Sequence, residues 1–169
     1  MHTYSPFGLA GDDEKSLLNM REAEIKHSRL AMLAVVGWPL AELFDKPLAD
    51  AVGLPTLLTK TGASPSLLNG GLDKIAVSYW VAIVSLAGII EIENMKMKDE
   101  KAKNYVAGDC NFDPLNFFPQ DKKGQLDMQT KEIKHGRIAM MGILGFAVQE
   151  FVYGKPVVEE TPFFFHPMF

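Results

Sequence analysis

Three long segments of the chain mix Leu, Ala, Met, Ile and Glu over lengths too great for β-strands. These predicted helices cover about residues 18–44, 74–98 and 127–153. The stretches between them contain residues that interrupt helices, such as Lys46-Pro47 and Asp113-Pro114. No convincing β-sheet pattern is present, so the sequence predicts an all-α protein with a single domain over residues 1–169.

Hydropathy alone leaves open whether this protein is soluble or embedded in a membrane. Hydrophobic residues make up 47% of the chain, including eleven Phe and nine Met. No uninterrupted apolar run, however, reaches the roughly 20 residues of an ordinary transmembrane helix. A further property of the sequence is needed to decide between the two.

An internal repeat links the first and third predicted helices. Residues 24–32 are EIKHSRLAM and residues 132–140 are EIKHGRIAM, an offset of 108 residues between Glu24 and Glu132. More positions match at this offset: Gly37 with Gly145, Glu42 with Glu150, and the loop residues 4–9 with 112–117. A loop and a helix copied together predict that the two helices are related by an approximate two-fold axis.

The charges inside the two motifs need partners. Arg29 follows Glu24 by five residues, about 140° around a helix, so it cannot easily neutralise that Glu, and the same holds for Arg137 and Glu132. Both motifs run directly into apolar stretches, where an unpaired buried charge costs several kcal/mol or more. The economical solution is reciprocal: two crossed helices place Glu24 against Arg137 and Arg29 against Glu132.

Small residues in the motifs and just after them leave a surface that favours close crossing in lipid: Ser28, Ala31, Ala34, Gly136, Ala139 and Gly142. With its charges paired, each span can include the motif, which lengthens the apolar runs toward what a tilted bilayer helix needs. The sequence therefore predicts three transmembrane helices, with the first and third crossed.

Lysines and arginines set the expected orientation of these spans. One side of the membrane collects Lys15, Arg21, Lys96, Lys98, Lys101, Lys103, Lys122, Lys123 and Lys131, and the other side has Lys46, Lys60, Lys74 and Lys155. By the positive-inside rule the N-terminus faces the cytoplasm or its organellar equivalent.

The crossed ion pairs leave His27 and His135 without an ion-pair role. A neutral imidazole is a good axial ligand for a metal, and a carboxylate already paired with Arg can offer an oxygen to a hard ion such as magnesium. The repeated Glu and His therefore predict planar metal cofactors stacked beside the helices.

At these residues the sequence resembles the chlorophyll-binding light-harvesting antenna family. That family has Glu in its first and third membrane helices, then His or Asn three residues later, then Arg two after that. In detail EIKHSRLAM, EIKHGRIAM, GDCNFDPLNFFP and PVVEETPFFFHP are most similar to the fucoxanthin chlorophyll a/c proteins of red-lineage algae.

The resemblance implies a set of pigment-binding residues. Chlorophyll magnesium would be ligated by Glu24, His27, Glu91, Glu132, His135 and Gln149, and Arg29 and Arg137 would form the crossed ion pairs. Asp113 would lie in the loop that caps a carotenoid. Alternatives remain at three positions: Glu93 rivals Glu91 as the ligand of the middle helix, Gln149 fits an interfacial amide, and Asp113 fits the start of a turn.

The resemblance also implies a function, a location and partners. We expect a light-harvesting antenna protein that binds chlorophyll a, chlorophyll c and fucoxanthin or a related xanthophyll. It would lie in the chloroplast thylakoid membrane among thylakoid lipids, with a stromal N-terminus and a luminal C-terminus. It would transfer excitation to a photosystem core, photosystem I in preference to photosystem II, alongside neighbouring antenna subunits. A photoprotective, energy-dissipating member of the family is the alternative.

Other functional classes lack their residues. The net charge is −4, and no basic run interleaved with aromatics indicates a nucleic-acid surface. Cys110 is the only cysteine, too few for a disulfide or a zinc site. The N-terminus shows neither a signal peptide nor a transit sequence, so we expect a mature form or a protein without targeting.

No catalytic pattern is present either. The sequence has no nucleophile with a base, no phosphate loop and no dinucleotide fingerprint, so we expect no enzymatic activity. The rival from another class is a soluble di-iron carboxylate enzyme, because two Glu-x-x-His motifs are half of that site. Such a site also needs a Glu from each of two further helices, and only one further helix is predicted.

Overall fold

The computed structural model describes residues 13–100, 105–110 and 112–161. In these ranges it contains α1 (Glu14–Val52), a 3-10 helix (Leu72–Lys74), α2 (Val77–Glu100), α3 (Lys122–Tyr153) and α4 (Val157–Glu160). No strand occurs in the described ranges, which have only an isolated bridge between Ser66 and Gly70. The all-α prediction is thereby confirmed for this part of the chain. The first copy of the repeated loop, residues 4–9, lies outside it.

Helix α1 is longer than the predicted 18–44, because Lys46-Pro47 does not end it. Pro47 lies inside the helix, which continues to Val52. A proline removes one backbone donor, and the turn after it is held by the buried Ala49 and by the cap that follows. That cap is Gly53, which has a φ of 73° and donates its N–H to the carbonyl of Ala49.

The other two predicted helices also shift at their ends. Helix α3 begins at Lys122 instead of about 127, because Asp121 caps it by accepting a hydrogen bond from the Gly124 N–H at 2.8 Å. Helix α2 begins at Val77 instead of about 74, since Leu72–Lys74 form the 3-10 helix.

Helices α1 and α3 pack against each other at equivalent positions of the repeat. A Cβ atom built on Gly136 would lie 2.2 Å from the Cβ of Ser28, and both residues are buried. Further along the two helices, the carboxyl groups of Glu42 and Glu150 face each other. Because these contacts follow in the same order on both helices, α1 and α3 run parallel, as the repeat requires.

The contact between the C-terminal halves of α1 and α3 is built around Glu150, which is 1% exposed. Its carboxyl group accepts hydrogen bonds from the Trp38 indole N–H at 2.8 Å and from the Asn69 side-chain amide. Trp38 belongs to α1 and Asn69 to the loop before α2. One buried carboxyl group thus ties α3 to both.

Glu42, the repeat equivalent of Glu150, fixes the other segments at this end. Its Oε1 atom accepts from the Ser64 N–H at 3.2 Å, and its Oε2 atom accepts from the Val158 N–H at 3.1 Å. Helix α4 packs here through Val157 and Val158, both buried. The loop and α4 therefore close the same end of the α1–α3 pair.

Helix α2 stands apart from this pair. No Cα atom of α2 lies within 8 Å of a Cα atom in any other described α-helix. Residues 77–93 are all exposed, and α2 alone among the described helices is long and apolar enough to cross a membrane by itself. Helices α1 and α3 contain charged residues both within the motifs and after them, at Glu42 and Glu150. Their parallel course requires the chain between them to return, and α2 makes that return.

Candidate functional site

Two reciprocal ion pairs join the repeated motifs of α1 and α3. Arg29 Nε donates to Glu132 Oε1 at 2.7 Å, and Arg137 Nε donates to Glu24 Oε1 at 2.7 Å. Each arginine therefore neutralises the glutamate of the other helix, as the sequence predicted. The pairing fixes both carboxylates beside the helix contact at Ser28 and Gly136.

The two glutamates differ in how their second oxygen is used. Glu24 Oε2 accepts a hydrogen bond from Arg21 Nη1 at 2.8 Å, whereas Gln129 stands at the equivalent place beside Glu132. Arg21 has a side chain that is 48% exposed, so it can turn away from Glu24 at little cost. The repeat is thus imperfect at this point, and Glu132 has the more open carboxylate.

Both repeated histidines are oriented by their own helix. His27 Nδ1 lies 2.8 Å from the carbonyl oxygen of Ala23, and His135 Nδ1 lies 2.8 Å from that of Lys131. A carbonyl oxygen only accepts, so each bond requires the proton on Nδ1 and leaves the Nε2 lone pair free. Both side chains are exposed. This is the arrangement in which histidine binds a metal, with the second nitrogen held by a hydrogen bond.

The middle helix presents two glutamates in different directions. Glu91 Oε1 accepts a hydrogen bond from Lys26 Nζ of α1 at 2.6 Å. Glu93 instead pairs with Lys96 of its own helix at 2.8 Å, and both of their side chains are exposed. Glu91 is therefore the glutamate that faces α1 and its motif.

Gln149 and Asp113 lie away from the motifs. Gln149 is half-buried near the C-terminal end of α3, and its side-chain amide makes no hydrogen bond to any other described residue. Asp113 accepts hydrogen bonds from the backbone N–H groups of Phe118 at 2.8 Å and Phe117 at 3.0 Å. These bonds, that of Phe118 above all, hold the pKa of Asp113 below its ordinary value. The Asp113 carboxylate organises the turn, whatever else it contacts.

The two Glu-x-x-His motifs do not converge into a single metal centre. Over residues 13–100, 105–110 and 112–161, no group of three His, Cys, Asp or Glu side chains is placed to hold an ion. The candidate ligands instead lie on three different helices. That separation suits a planar metal cofactor, whose ring nitrogens supply most of the ligands, and it does not match the ligand set of a di-iron enzyme.

Three functional contacts were not foreseen from the sequence. They involve Lys26 against Glu91, Arg21 against Glu24, and Trp38 against Glu150. The repeat contained a clue to the last of these, because Glu42 and Glu150 are matched acidic residues in otherwise apolar stretches. For Glu91, the lack of a cation three or four residues away on its own helix indicated that a partner was needed, but not that Lys26 is that partner.

Comparison with known proteins assigns this arrangement to a family. A family model described as chlorophyll A-B binding protein matches residues 2–151. The chain belongs to the chlorophyll a-b binding protein family. The matched range includes both motifs and the whole of α2, so the candidate ligands on α1, α2 and α3 all lie within it.

Relatives of this chain include fucoxanthin-chlorophyll proteins and a stress-related light-harvesting protein. The chain is 34% identical to the fucoxanthin-chlorophyll a-c binding protein of Isochrysis galbana, over 89% of this chain and 73% of that protein. It is 30% identical to the light-harvesting complex stress-related protein 1 of Chlamydomonas reinhardtii, over 98% of this chain and 64% of that protein. It is 32% identical to the fucoxanthin-chlorophyll a-c binding protein F of Phaeodactylum tricornutum, over 87% of this chain and 73% of that protein.

Proposed function

We propose that this protein is a light-harvesting antenna subunit of the chloroplast thylakoid membrane. It binds chlorophyll a, chlorophyll c and fucoxanthin or a related xanthophyll, and it makes or breaks no bond itself. The observation that carries the proposal is the pair of histidines with free Nε2 atoms, placed at equivalent positions beside neutralised glutamates. The family and its fucoxanthin-chlorophyll relatives support the same conclusion.

The proposed magnesium ligands are distributed over the three long helices. On α1, Glu24 and His27 would hold chlorophyll magnesium, and on α2 Glu91 would do so. The ligands on α3 would be Glu132, His135 and Gln149. When bound, chlorophylls absorb light and pass the excitation to neighbouring pigments. The protein fixes their distances and orientations through rigid helices, and Arg29 and Arg137 keep the carboxylates neutralised.

Three membrane spans and one domain over residues 1–169 follow from the same proposal. The 39 residues of α1 extend about 58 Å at about 1.5 Å per residue, longer than the roughly 30 Å bilayer core. Reciprocal pairing of the motif charges removes the main cost of burying α1 and α3. The distribution of basic residues favours a stromal N-terminus and a luminal C-terminus.

The expected partners follow from this location. We propose that the protein lies among thylakoid lipids and neighbouring antenna subunits and passes excitation to a photosystem core, photosystem I in preference to photosystem II. The apolar side chains exposed on α2, among them Val81, Val84 and Ile89, suit lipid, pigment or a neighbouring subunit. Asp113 is proposed to cap a carotenoid from the loop before α3.

A second candidate function is photoprotection. The similarity to a light-harvesting complex stress-related protein favours a member of the family that dissipates excitation. Both roles need the same pigment ligands, so the lifetime of chlorophyll fluorescence separates them. A harvesting subunit retains a long lifetime in detergent, and a dissipating subunit shows a strongly shortened one.

Refolding with pigments tests the proposal with a matched pair of variants. The full chain is refolded with chlorophyll a, chlorophyll c and fucoxanthin, and bound pigments are counted after extraction. Glu91→Leu is expected to lose about one chlorophyll per chain. Glu93→Leu, two residues away on the surface, is expected to keep them all. A wild-type chain that binds no chlorophyll contradicts the proposed function, and equal losses in the two variants contradict the assignment of Glu91.

A further inference from the structure

Glu91 has no cation on its own helix to neutralise it. The residues three and four positions away are not basic: Ala87, Gly88, Asn94 and Met95. Lys96 is five positions away, and it pairs with Glu93 at 2.8 Å. A carboxylate in an apolar surround is costly unless a cation lies beside it. The cation for Glu91 therefore has to come from another helix.

Lys26 of α1 supplies that cation. Its Nζ atom donates to Glu91 Oε1 at 2.6 Å and to Glu22 Oε1 at 2.7 Å. Lys98 of α2 then donates to Glu22 Oε2 at 2.8 Å. The four side chains form a row of alternating charge that spans the space between α1 and α2 and sums to zero. Long side chains are needed here because the two backbones stay more than 8 Å apart.

We propose, building on the antenna function above, that Lys26 is the positioning residue for the chlorophyll ligand of α2. It neutralises Glu91 and holds the carboxylate through Oε1, which leaves Oε2 as the oxygen for magnesium. Lys26 lies on α1 between the proposed ligands Glu24 and His27. It thereby sets the position of the pigment on α2 relative to the pigments on α1.

The repeat supplies a built-in comparison for this role. Lys134 of α3 occupies the same motif position as Lys26, but its side chain makes no hydrogen bond or ion pair with another described residue. Helix α2 breaks the two-fold symmetry of α1 and α3. Among the described residues, α1 forms ion pairs with α2, and α3 forms none with it. Identical substitutions at the two lysines therefore separate the positioning role from a general effect of losing a motif lysine.

The test compares Lys26→Met with Lys134→Met after refolding of the full chain with pigments. Lys26→Met is expected to lose about one chlorophyll per chain, with the same change in absorption and visible circular dichroism as Glu91→Leu. Combined with Glu91→Leu, it is expected to lose no more than either single variant, because both act on one site. Lys26→Arg is expected to restore the pigment, and Lys134→Met to retain the full complement.

Cross-linking of wild-type protein covers the case in which Lys26→Met does not refold. A carbodiimide joins amines to carboxylates in direct contact, so digestion and mass spectrometry are expected to find Lys26 linked to both Glu22 and Glu91. Links to Glu22 alone would overturn the proposal, as would a Lys26→Met protein with its full set of chlorophylls. A wild-type chain that binds no chlorophyll, yet shows the Lys26–Glu91 link, would refute the antenna function and with it the positioning role of Lys26. The link would still confirm the ion pair itself.

Discussion

The repeated histidines show how a single hydrogen bond selects a chemical role. Each ring is tied through Nδ1 to a carbonyl oxygen one turn earlier, at 2.8 Å. The Nε2 atom of His27 and that of His135 are therefore turned toward the surroundings of the helix pair. An imidazole held in this way is prepared to bind a metal without further rearrangement.

Asp113 illustrates a carboxylate whose main contacts are local. Its hydrogen bonds from the N–H groups of Phe118 and Phe117 favour the charged form and lower its pKa. A group with a lowered folded-state pKa stabilises the fold fully above its ordinary value and loses that contribution as the pH falls through the folded-state value. The stability of the turn at residues 113–118 is thus expected to decrease on acidification below about pH 4.

Hydrogen exchange with mass spectrometry checks this expectation. In wild-type protein, the amides of residues 117 and 118 are expected to lose protection as the pH is lowered below the ordinary pKa of an aspartate, about 4, after correction for the intrinsic exchange rate. In Asp113→Asn they are expected to be less protected at neutral pH and to show little further change. Equal protection of the two amides in wild-type protein and Asp113→Asn at neutral pH would show that the carboxylate does not hold the turn.

At the residue scale, the sequence predicted charge pairing well. The crossed pairing of Glu24 with Arg137 follows from helical geometry and the repeat, which are both visible in the sequence. The contact of Lys26 with Glu91 depends on the distance between α1 and α2, which no local pattern contains. The ligand roles of the histidines, Glu91 and Gln149 remain predictions.

At the scale of elements, the contact between α1 and α3 depends on one glycine. A Cβ at Gly136 would lie 2.2 Å from the Cβ and 3.1 Å from the Cα of Ser28, so the helices would have to separate. Alanine in a helix normally gains about 0.5–1 kcal/mol over glycine. Overpacking of a tight contact typically costs about 1–3 kcal/mol. The nearest atoms are the Cβ and Oγ of Ser28, followed by its Cα. Because a Cβ cannot move away without its backbone, the cost of overpacking exceeds the gain at this position.

Gly136→Ala is therefore expected to destabilise the protein by about 1–2 kcal/mol, the cost of overpacking less the gain of alanine over glycine. The measurement is the temperature at which pigments and helical circular dichroism are lost. Gly145→Ala is the matched control, because nothing lies within 4 Å of a Cβ built there. Addition of Ser28→Gly to Gly136→Ala is expected to restore part of the stability. Equal effects of the two alanine variants would show that the helices do not approach at Gly136.

The ends of the helices show why boundaries were harder to predict than the helices themselves. Pro47 is a residue that normally ends a helix, yet α1 passes through it to Val52. The loop after α1 folds back, with Asp45 Oδ2 accepting from the Leu57 N–H at 3.0 Å. Helix α4 was not predicted, because its four residues are held by packing and by Glu42 on α1.

At the scale of the whole molecule, the position of α2 depends on what occupies the space beside it. The helix is joined to α1 by side chains at the Lys26–Glu91 end and by chain connections, while residues 77–93 are exposed. A single apolar helix without packed neighbours has little to fix its position. Bound pigments in that space would supply the missing contacts, so pigment binding and the position of α2 are expected to be coupled.

Spin labels on α1 and α2 measure that coupling. Cysteines replace Leu40 and Leu86 in a Cys110→Ala background, and the distance between the labels is measured with and without pigments. Without pigments the distribution is expected to be broad, and with pigments narrow. A distribution that is equally narrow in both states would show that protein contacts alone position α2.

The overall architecture was predictable from the sequence only in part. The repeat implied a paired α1 and α3, which the structure contains, and the spacing of the charges implied how the two helices are joined. The separation of α2 was not predictable, because a uniformly apolar helix contains no pattern that distinguishes a protein neighbour from a pigment or lipid. Three membrane spans remain a prediction, since α1 and α3 do not reach the required hydropathy by themselves.

Whether the protein binds chlorophyll and gathers light can be tested with one spectrum. The measurement is the absorption and fluorescence-excitation spectrum of the gently solubilised native protein, with its pigments extracted and identified. The antenna function predicts chlorophyll a and c bands, with carotenoid excitation feeding chlorophyll a emission. A colourless protein, or bound carotenoid whose excitation never reaches chlorophyll a, would contradict it.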